Sequence, residues 1–350
     1  MHRFKAMVTI KDVARQAGVS HATVSYVLNG KAGQAKTKIS DVASERVKAA
    51  ATQLGYQRNE IARSVSTGKT NVIGFLVPDT SSEHCARLLD GIMRGAYEND
   101  YFIKVIYTEP GCSAQDISRI CIGQRLAGLI AYGLSDRDFL SELLLQIAKH
   151  EMPLAIAAGN CCVSDKCIKV LSNHAHGGSL AFKHLYAQGH RSFTIAVGYC
   201  KSEWATKRFA GFVAAAADAG ILIPDANILR ADETILFEQD ELKKWIAETG
   251  ATALFCMSDY SALTAVNTLQ LAGLKVPEDI AVVGYGNLSL CNFSRPAITS
   301  IEEHLSQIGS RTVNVLLEKI KSGNIIELNE EYSETLNVEL ITRDSTNFKR

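Results

Sequence analysis

Few segments of this 350-residue chain carry residue types whose spacing could do chemistry. Cys161, Cys162 and Cys167 stand near His174 and His176, the donor types that hold zinc. Zinc ligands normally come in spaced pairs, and this mostly apolar stretch contains no C-x-x-C, so buried thiols are expected instead. Gly284-Tyr285-Gly286 lacks the third glycine of a dinucleotide loop, and no P-loop lysine pattern occurs. Gly111-Cys112-Ser113-Ala114-Gln115 lacks the closing glycine of a nucleophile elbow. No paired carboxylates stand out. The expectation is therefore a protein without catalysis, metal or other cofactor.

Charge is more informative than any of these. The chain balances 37 basic against 37 acidic residues, yet residues 1–69 carry twelve basic side chains and only four acidic ones. That is a net +8 at the front and −8 in the remainder. A compact basic segment on an acidic body fits a polyanion partner, although charge alone fits a solvated basic face equally well. With 47% hydrophobic and 21% charged residues, the chain can bury a sizeable core, which excludes global disorder. No apolar run approaches the roughly 18 residues of a membrane span, and no signal peptide is visible. A soluble cytoplasmic protein without disulfides is expected, since nine cysteines is also an odd number. Length suggests two or three domains.

The elements that would present the basic segment begin at Thr9, a cap followed three residues later by Asp12. Ile10, Val13, Ala14 and Ala17 fall on one helical face, Gly18 ends it, and Ser20 starts a second helix with Val24, Val27 and Leu28 inward. Two short helices around such a turn predict either a helix-turn-helix or a plain helical hairpin. A third helix is expected over Asp41 to Leu54, closed by Gly55. The segment Asn59–Val65 is too short to hold a helix alone, and Gly68-Lys69-Thr70 looks like a linker.

Thr9-Ile10-Lys11-Asp12-Val13-Ala14, Gly18-Val19-Ser20, Ala22-Thr23-Val24-Ser25, Leu28-Asn29-Gly30, Leu54-Gly55-Tyr56 and Ala62-Arg63-Ser64 resemble the signature of the lactose-repressor/galactose-repressor family of bacterial transcription regulators. The family typically opens just before this Thr-Ile-Lys-Asp-Val-Ala, which makes Met7 a candidate start. The resemblance implies that His21, Ala22 and Tyr26 face base edges in the major groove, while Thr9, Ser20, Ser25 and Asn29 hold phosphates. It further implies a hinge, with Asn59, Ala62 and Arg63 near DNA and Val65 as a minor-groove wedge. Val65 is one methylene shorter than the family's leucine, so weaker bending or binding is expected. Tyr26 replaces the usual Arg or His, and residues 31–38 form a longer, lysine-bearing loop than the family has.

From Asn71 onward, short apolar runs alternate with amphipathic stretches. Strands are expected at 72–77, 102–107, 128–132, 154–158, 193–197, 228–231, 253–256 and 280–283. Helices are expected around 86–98, 177–188, 205–219, 239–249 and 261–272. Such alternation predicts an α/β body with parallel sheets in two lobes and a ligand cleft between them. Gly189-His190-Arg191, Arg208 with Gly211-Phe212, and Gly273-Leu274-Lys275-Val276-Pro277 extend the resemblance, which implies a periplasmic-binding-protein-like effector domain.

The expected layout is a helix-turn-helix domain at 7–57, a hinge and linker at 58–70, and an effector and dimerisation domain at 71–345. The N-lobe would hold about 71–171 and 301–328, and the C-lobe about 172–300 and 329–345, with crossings near Leu171, Ser300 and Leu328. By resemblance the cleft residues are His84, Ser172, Asn173, Arg208, Ser258, Asp259 and Gly286. Gly286 and Ser172 replace acidic residues of the pattern and Ser258 an asparagine, whereas Arg208 is kept. An uncancelled arginine would favour a phosphorylated or acidic sugar over a neutral one. The reading is a dimeric repressor of carbohydrate-related genes on a pseudo-palindromic double-stranded operator, controlled by a sugar or sugar phosphate, with no membrane partner. The alternatives are an exported-type sugar-binding protein and a regulator without an effector. No heptad follows Ile341, which speaks against a carboxyl-terminal coiled-coil tetramer.

Overall fold

The structure, a computed structural model, describes residues 8–28, 39–57, 70–134, 136–159, 167–197, 202–230, 233–322 and 332–347. The chain divides into two compact units, Met1–Thr70 and Asn71–Arg350.

In the first unit, α1 (Ile10–Ala17), α2 (His21–Leu28) and α3 (Asp41–Leu54) enclose a core of Val13, Ala17, Val24, Val27, Val47 and Ala50. The caps explain the boundaries. Asp12 accepts hydrogen bonds from the Thr9 amide (3.0 Å) and hydroxyl (2.6 Å), and Ser20 Oγ accepts from the Thr23 amide. Gly18 and Gly55 end α1 and α3 in the left-handed conformation, which a side chain would strain.

The second unit is α/β. Its first sheet runs in the order β11 (Tyr332–Leu336), β5 (Ile168–Ser172), β4 (Leu154–Ala157), β3 (Gly128–Ala131), β1 (Val72–Val77), β2 (Phe102–Tyr107), all parallel. The second runs β12 (Glu339–Ile341), β10 (Thr299–Glu302), β9 (Ala281–Tyr285), β8 (Ala253–Cys256), β6 (Phe193–Ala196), β7 (Ile228–Leu229), with only β12 antiparallel. Helices cover both faces of each sheet, as parallel strands require. On the first sheet these are α4 (Glu83–Tyr97), α5 (Ala114–Gly123), α6 (Arg137–Ala148) and α12 (Leu305–Ser322). On the second they are α7 (His174–Ala187), α8 (Glu203–Asp218), α9 (Gln239–Thr249) and α10 (Asp259–Leu271), with the short α11 (Leu290–Phe293) beside them.

Two of the expected lobe crossings fall later. Ser300 lies inside β10 of the C-lobe sheet, and the chain returns to the N-lobe only at Glu303-His304. Residues 332–336, expected in the C-lobe, pair with β5 in the N-lobe sheet, which puts the last crossing at Asn337-Val338 instead of near Leu328. Tyr332–Leu336 alternates exposed and half-buried residues, as an edge strand does, so it lacks the apolar run that marks the inner strands.

Two helix pairs set the positions of the cleft side chains. Between α7 and α8, a Cβ on Gly178 would lie 2.0 Å from the Arg208 carbonyl oxygen, and one on Gly211 1.9 Å from that of Ala175. Between α4 and α12, a Cβ on Gly91 would lie 1.9 Å from the Ser306 carbonyl oxygen. The glycines let backbone meet backbone, which fixes Arg208 against His174 and packs α4 closely on α12.

Candidate effector cleft and DNA-reading head

The carboxyl ends of the strands open on a cavity of about 630 Å³ between the lobes. His84, Tyr132 and Leu305 line it from the N-lobe, His174, Trp204, Arg208, Ser258 and Tyr260 from the C-lobe, and Glu303 from a crossing segment.

Arg208 is its centre, and it is not uncancelled. Its Nη2 donates to Glu303 Oε1 at 2.8 Å, its Nη1 to the Met257 carbonyl at 2.7 Å, and its Nε to His174 Nδ1 at 3.3 Å. The guanidinium lies 3.5 Å over the Tyr285 ring and 4.4 Å from that of Trp204. Glu303 is only 4% exposed. Burial alone would raise its carboxyl, but Arg208, with His174 and His84, overrides this and holds it below the ordinary value. The free arginine inferred from sequence is thus a closed ion pair, and the argument for an anionic effector loses its premise.

Burial lowers His174 to about 4 and also depresses His84. A neutral His174 can accept the Arg208 Nε–H at Nδ1, leaving its Nε2 to carry the proton. These histidines give a pH dependence of definite sign. Unfolded, His174 takes up a proton near 6.5; folded, it resists until about 4, so the unfolded state binds more protons in between. Stability should therefore fall as pH drops from about 6.5 towards 4. Thermal melts across that range should show the loss, and His174→Gln should shrink it; an undiminished loss in the variant would place the effect elsewhere.

The residues expected in the cleft separate into two groups. His84, Arg208 and Ser258 line the cavity. Asp259, Gly286, Ser172 and Asn173 do not line it. Asp259 is fully buried and accepts from the Leu288 amide (2.7 Å) and the Ser300 hydroxyl (2.5 Å), so its carboxylate is already used in holding the C-lobe wall. Asn173 caps α7 through the His176 amide. Gly286 backs onto the His84 ring, where a Cβ would meet Nε2 at 2.6 Å. Glu303, Trp204, Tyr132 and Tyr260 belong to no motif of the sequence, and His174 stands out there only as a metal-donor type. Among the described residues no His, Cys, Asp and Glu cluster could hold a metal, and Cys161 and Cys162 lie outside them.

In the head, His21 and Ala22 are exposed at the start of α2, and Ser25 and Tyr26 are partly buried along it. The Thr9 and Ser20 hydroxyls are engaged in capping α1 and α2. Asn29, Asn59, Ala62, Arg63 and Val65 lie outside the described residues.

Residues 9–59 match the bacterial regulatory proteins of the lacI family, and residues 182–346 match a periplasmic binding protein-like domain. The chain is 31% identical over 332 residues to the HTH-type transcriptional repressor PurR of Photobacterium profundum, covering 93% of this chain and 97% of that one. It is 32% identical over 345 residues to PurR of Aliivibrio fischeri, covering 97% and 98%. Its fold matches the lac repressor dimer bound to operator and the anti-inducer ONPF, with a TM-score of 0.77 at 24% identity over 97% of this chain and 99% of that one. At this identity and coverage the chain belongs to the LacI family: it is a cytoplasmic DNA-binding transcriptional repressor, not an enzyme, with a periplasmic-binding-protein-like effector domain.

Proposed function

We propose that the repressor acts as a homodimer on a pseudo-palindromic operator and senses a neutral, hydrogen-bonding ring compound, with a sugar as the first class to test. The observation that carries the effector reading is the buried Arg208–Glu303 pair. A closed pair offers a ligand donors and acceptors side by side with no net charge, which suits hydroxyls, whereas a phosphate would meet the Glu303 carboxylate. Trp204, Tyr132 and Tyr260 add the aromatic faces on which a ring can rest. Proteins of the same fold have been solved with cellobiose and with ribose.

His21, Ala22 and Tyr26 would read bases from α2, with Ser25 and the Thr9 and Ser20 regions set against phosphates. Dimerisation is supported by exposed apolar side chains on α4 and on the edge strand β2, where Val105 and Tyr107 share the face that α4 covers and Phe102 takes the other. Tyr97 is 83% exposed, Phe102 65% and Tyr107 56%, and Met93 and Val105 accompany them. An apolar patch of this kind at a sheet edge is a subunit-contact surface.

Thermal shifts of the full chain with neutral sugars, sugar phosphates and free nucleobases test the effector. Stabilisation by a neutral compound is expected, at about 2.7 kcal/mol when ligand reaches a hundredfold excess over Kd. Stabilisation by sugar phosphates alone would overturn the neutral reading. Retardation of operator DNA with and without the hit then shows whether the ligand releases or tightens the repressor. That affinity should fall steeply with salt, because the +8 segment releases phosphate counterions.

A further inference from the structure

One turn of one N-lobe helix makes polar contacts with the C-lobe side of the cleft that none of the preceding functions uses. Glu83, at the start of α4, accepts the Ser289 amide at 3.0 Å and 3.1 Å on its two oxygens, and the Ser289 hydroxyl at 2.8 Å. Arg87, one turn on, holds Glu83 at 2.6 Å and reaches the Gly286 carbonyl (3.4 Å) and Glu302 (3.5 Å). Between them in sequence, His84 lines the cavity and rests on Gly286. The receiving loop is shaped for this contact: Gly286 and Asn287 take φ of 123° and 48°, and Asn287 is pinned by Glu302 (2.7 Å) and Arg343 (2.6 Å).

We propose that Glu83 and Arg87 are positioning residues that latch the two lobes across the cleft, and so set how strongly repressor activity responds to the effector. The physical case is that both are less than one-third exposed and that the Glu83–Ser289 bonds are charge-assisted, the stronger kind, with Arg87 holding Glu83 in place and adding longer contacts of its own. The latch spans the gap that must widen if the lobes part, and His84 places it directly beside any bound ligand. A ligand that pushes on His84 or draws it in therefore acts on the same helical turn that carries the latch. Because α4 also carries Met93 and Tyr97, strain at its first turn is delivered to the proposed subunit contact. That last step rests on the dimer reading; the latch itself does not.

The test uses the full-length protein and a readout that needs no ligand. Glu83→Gln and Arg87→Met are compared with the parent by hydrogen exchange at the Ser289 amide, and by the distance between nitroxide labels placed one on each lobe. In Glu83→Gln a neutral amide oxygen replaces the charged acceptor, so the Ser289 amide should lose protection roughly tenfold, and the label distance should lengthen. Arg94→Met, which breaks an exposed pair with Asp90 farther along the same helix, should leave both unchanged. Unaltered Ser289 exchange and label distance in both latch variants would overturn the proposal. So would equal changes in Arg94→Met. These outcomes stand apart from the effector screen, which can fail while the latch is intact.

Discussion

Replacing Glu303 by alanine is expected to lower the stability of the effector domain by about 3–5 kcal/mol, because it leaves the Arg208 guanidinium buried without its counter-charge. For a body of this size that corresponds to a fall in Tm of roughly 6–15 °C. Among the described residues, Asp259 is already bound to Leu288 and Ser300 and Glu203 to Lys207, so neither is placed to take over. Glu303→Gln keeps the volume and one acceptor, so its stability loss should be smaller, while its ligand response should fall because the neutral pair has become a bare cation. The joint replacement Arg208→Met with Glu303→Leu separates the two roles. Buried ion pairs often give way to apolar residues without loss, so the double variant should recover most of the stability lost by Glu303→Ala. It should still bind operator and no longer respond to ligand. Differential melts and operator retardation check this together; a Glu303→Ala protein that melts with the parent would mean that solvent or another group satisfies Arg208.

Much of the fold is legible because its signals are local. Thr9, Ser20 and Ser40 sit where helices begin, and Gly18 and Gly55 where they end. Val72–Val77 and Ala253–Cys256 are short apolar runs because they are buried on both faces. The missed strands lack that mark. In β10, Thr299 and Ser300 are fully buried yet polar, their hydroxyls bonded to the Arg343 carbonyl and to Asp259. In β5, Ile168, Val170 and Ser172 are buried while Lys169 and Leu171 are half-buried, an alternation in place of an apolar run. Lobe crossings depend on which sheet accepts a strand, a tertiary choice that no local pattern records.

The cleft follows the same division. His84, Arg208 and Ser258 come from segments that resemble the family, and they do line the cavity. Glu303 belongs to no motif and lies 95 residues from the arginine it neutralises, so charge could not be balanced from spacing alone. In sequence His174 is marked only by nearby cysteines, although the residue that decides its chemistry is Arg208, brought to it by the α7–α8 contact. A single side chain unseen in sequence thus removes the premise for an anionic ligand.

That α7–α8 contact carries the second large effect. Gly178→Ala and Gly211→Ala are each expected to cost about 3 kcal/mol, at the upper end for overpacking. In both cases the added methyl meets a backbone carbonyl, at 2.0 Å and 1.9 Å, and no rotamer change can relieve it. The helices must separate, and what separates with them is the pairing of His174 with Arg208, so ligand response should weaken along with stability. Gly123→Ala supplies the contrast. It sits at the exposed end of a helix with open space around it, and there alanine should be neutral or stabilise by about 0.5–1 kcal/mol. Denaturant melts of the three variants discriminate between a general dislike of alanine at glycine positions and a requirement for contact between two backbones. If Gly211→Ala and Gly123→Ala shifted the midpoint equally, the close approach would not be what holds Arg208 in place. If only the interhelical pair falls, the geometry of the effector cleft is set by two missing side chains as much as by the charged ones that line it.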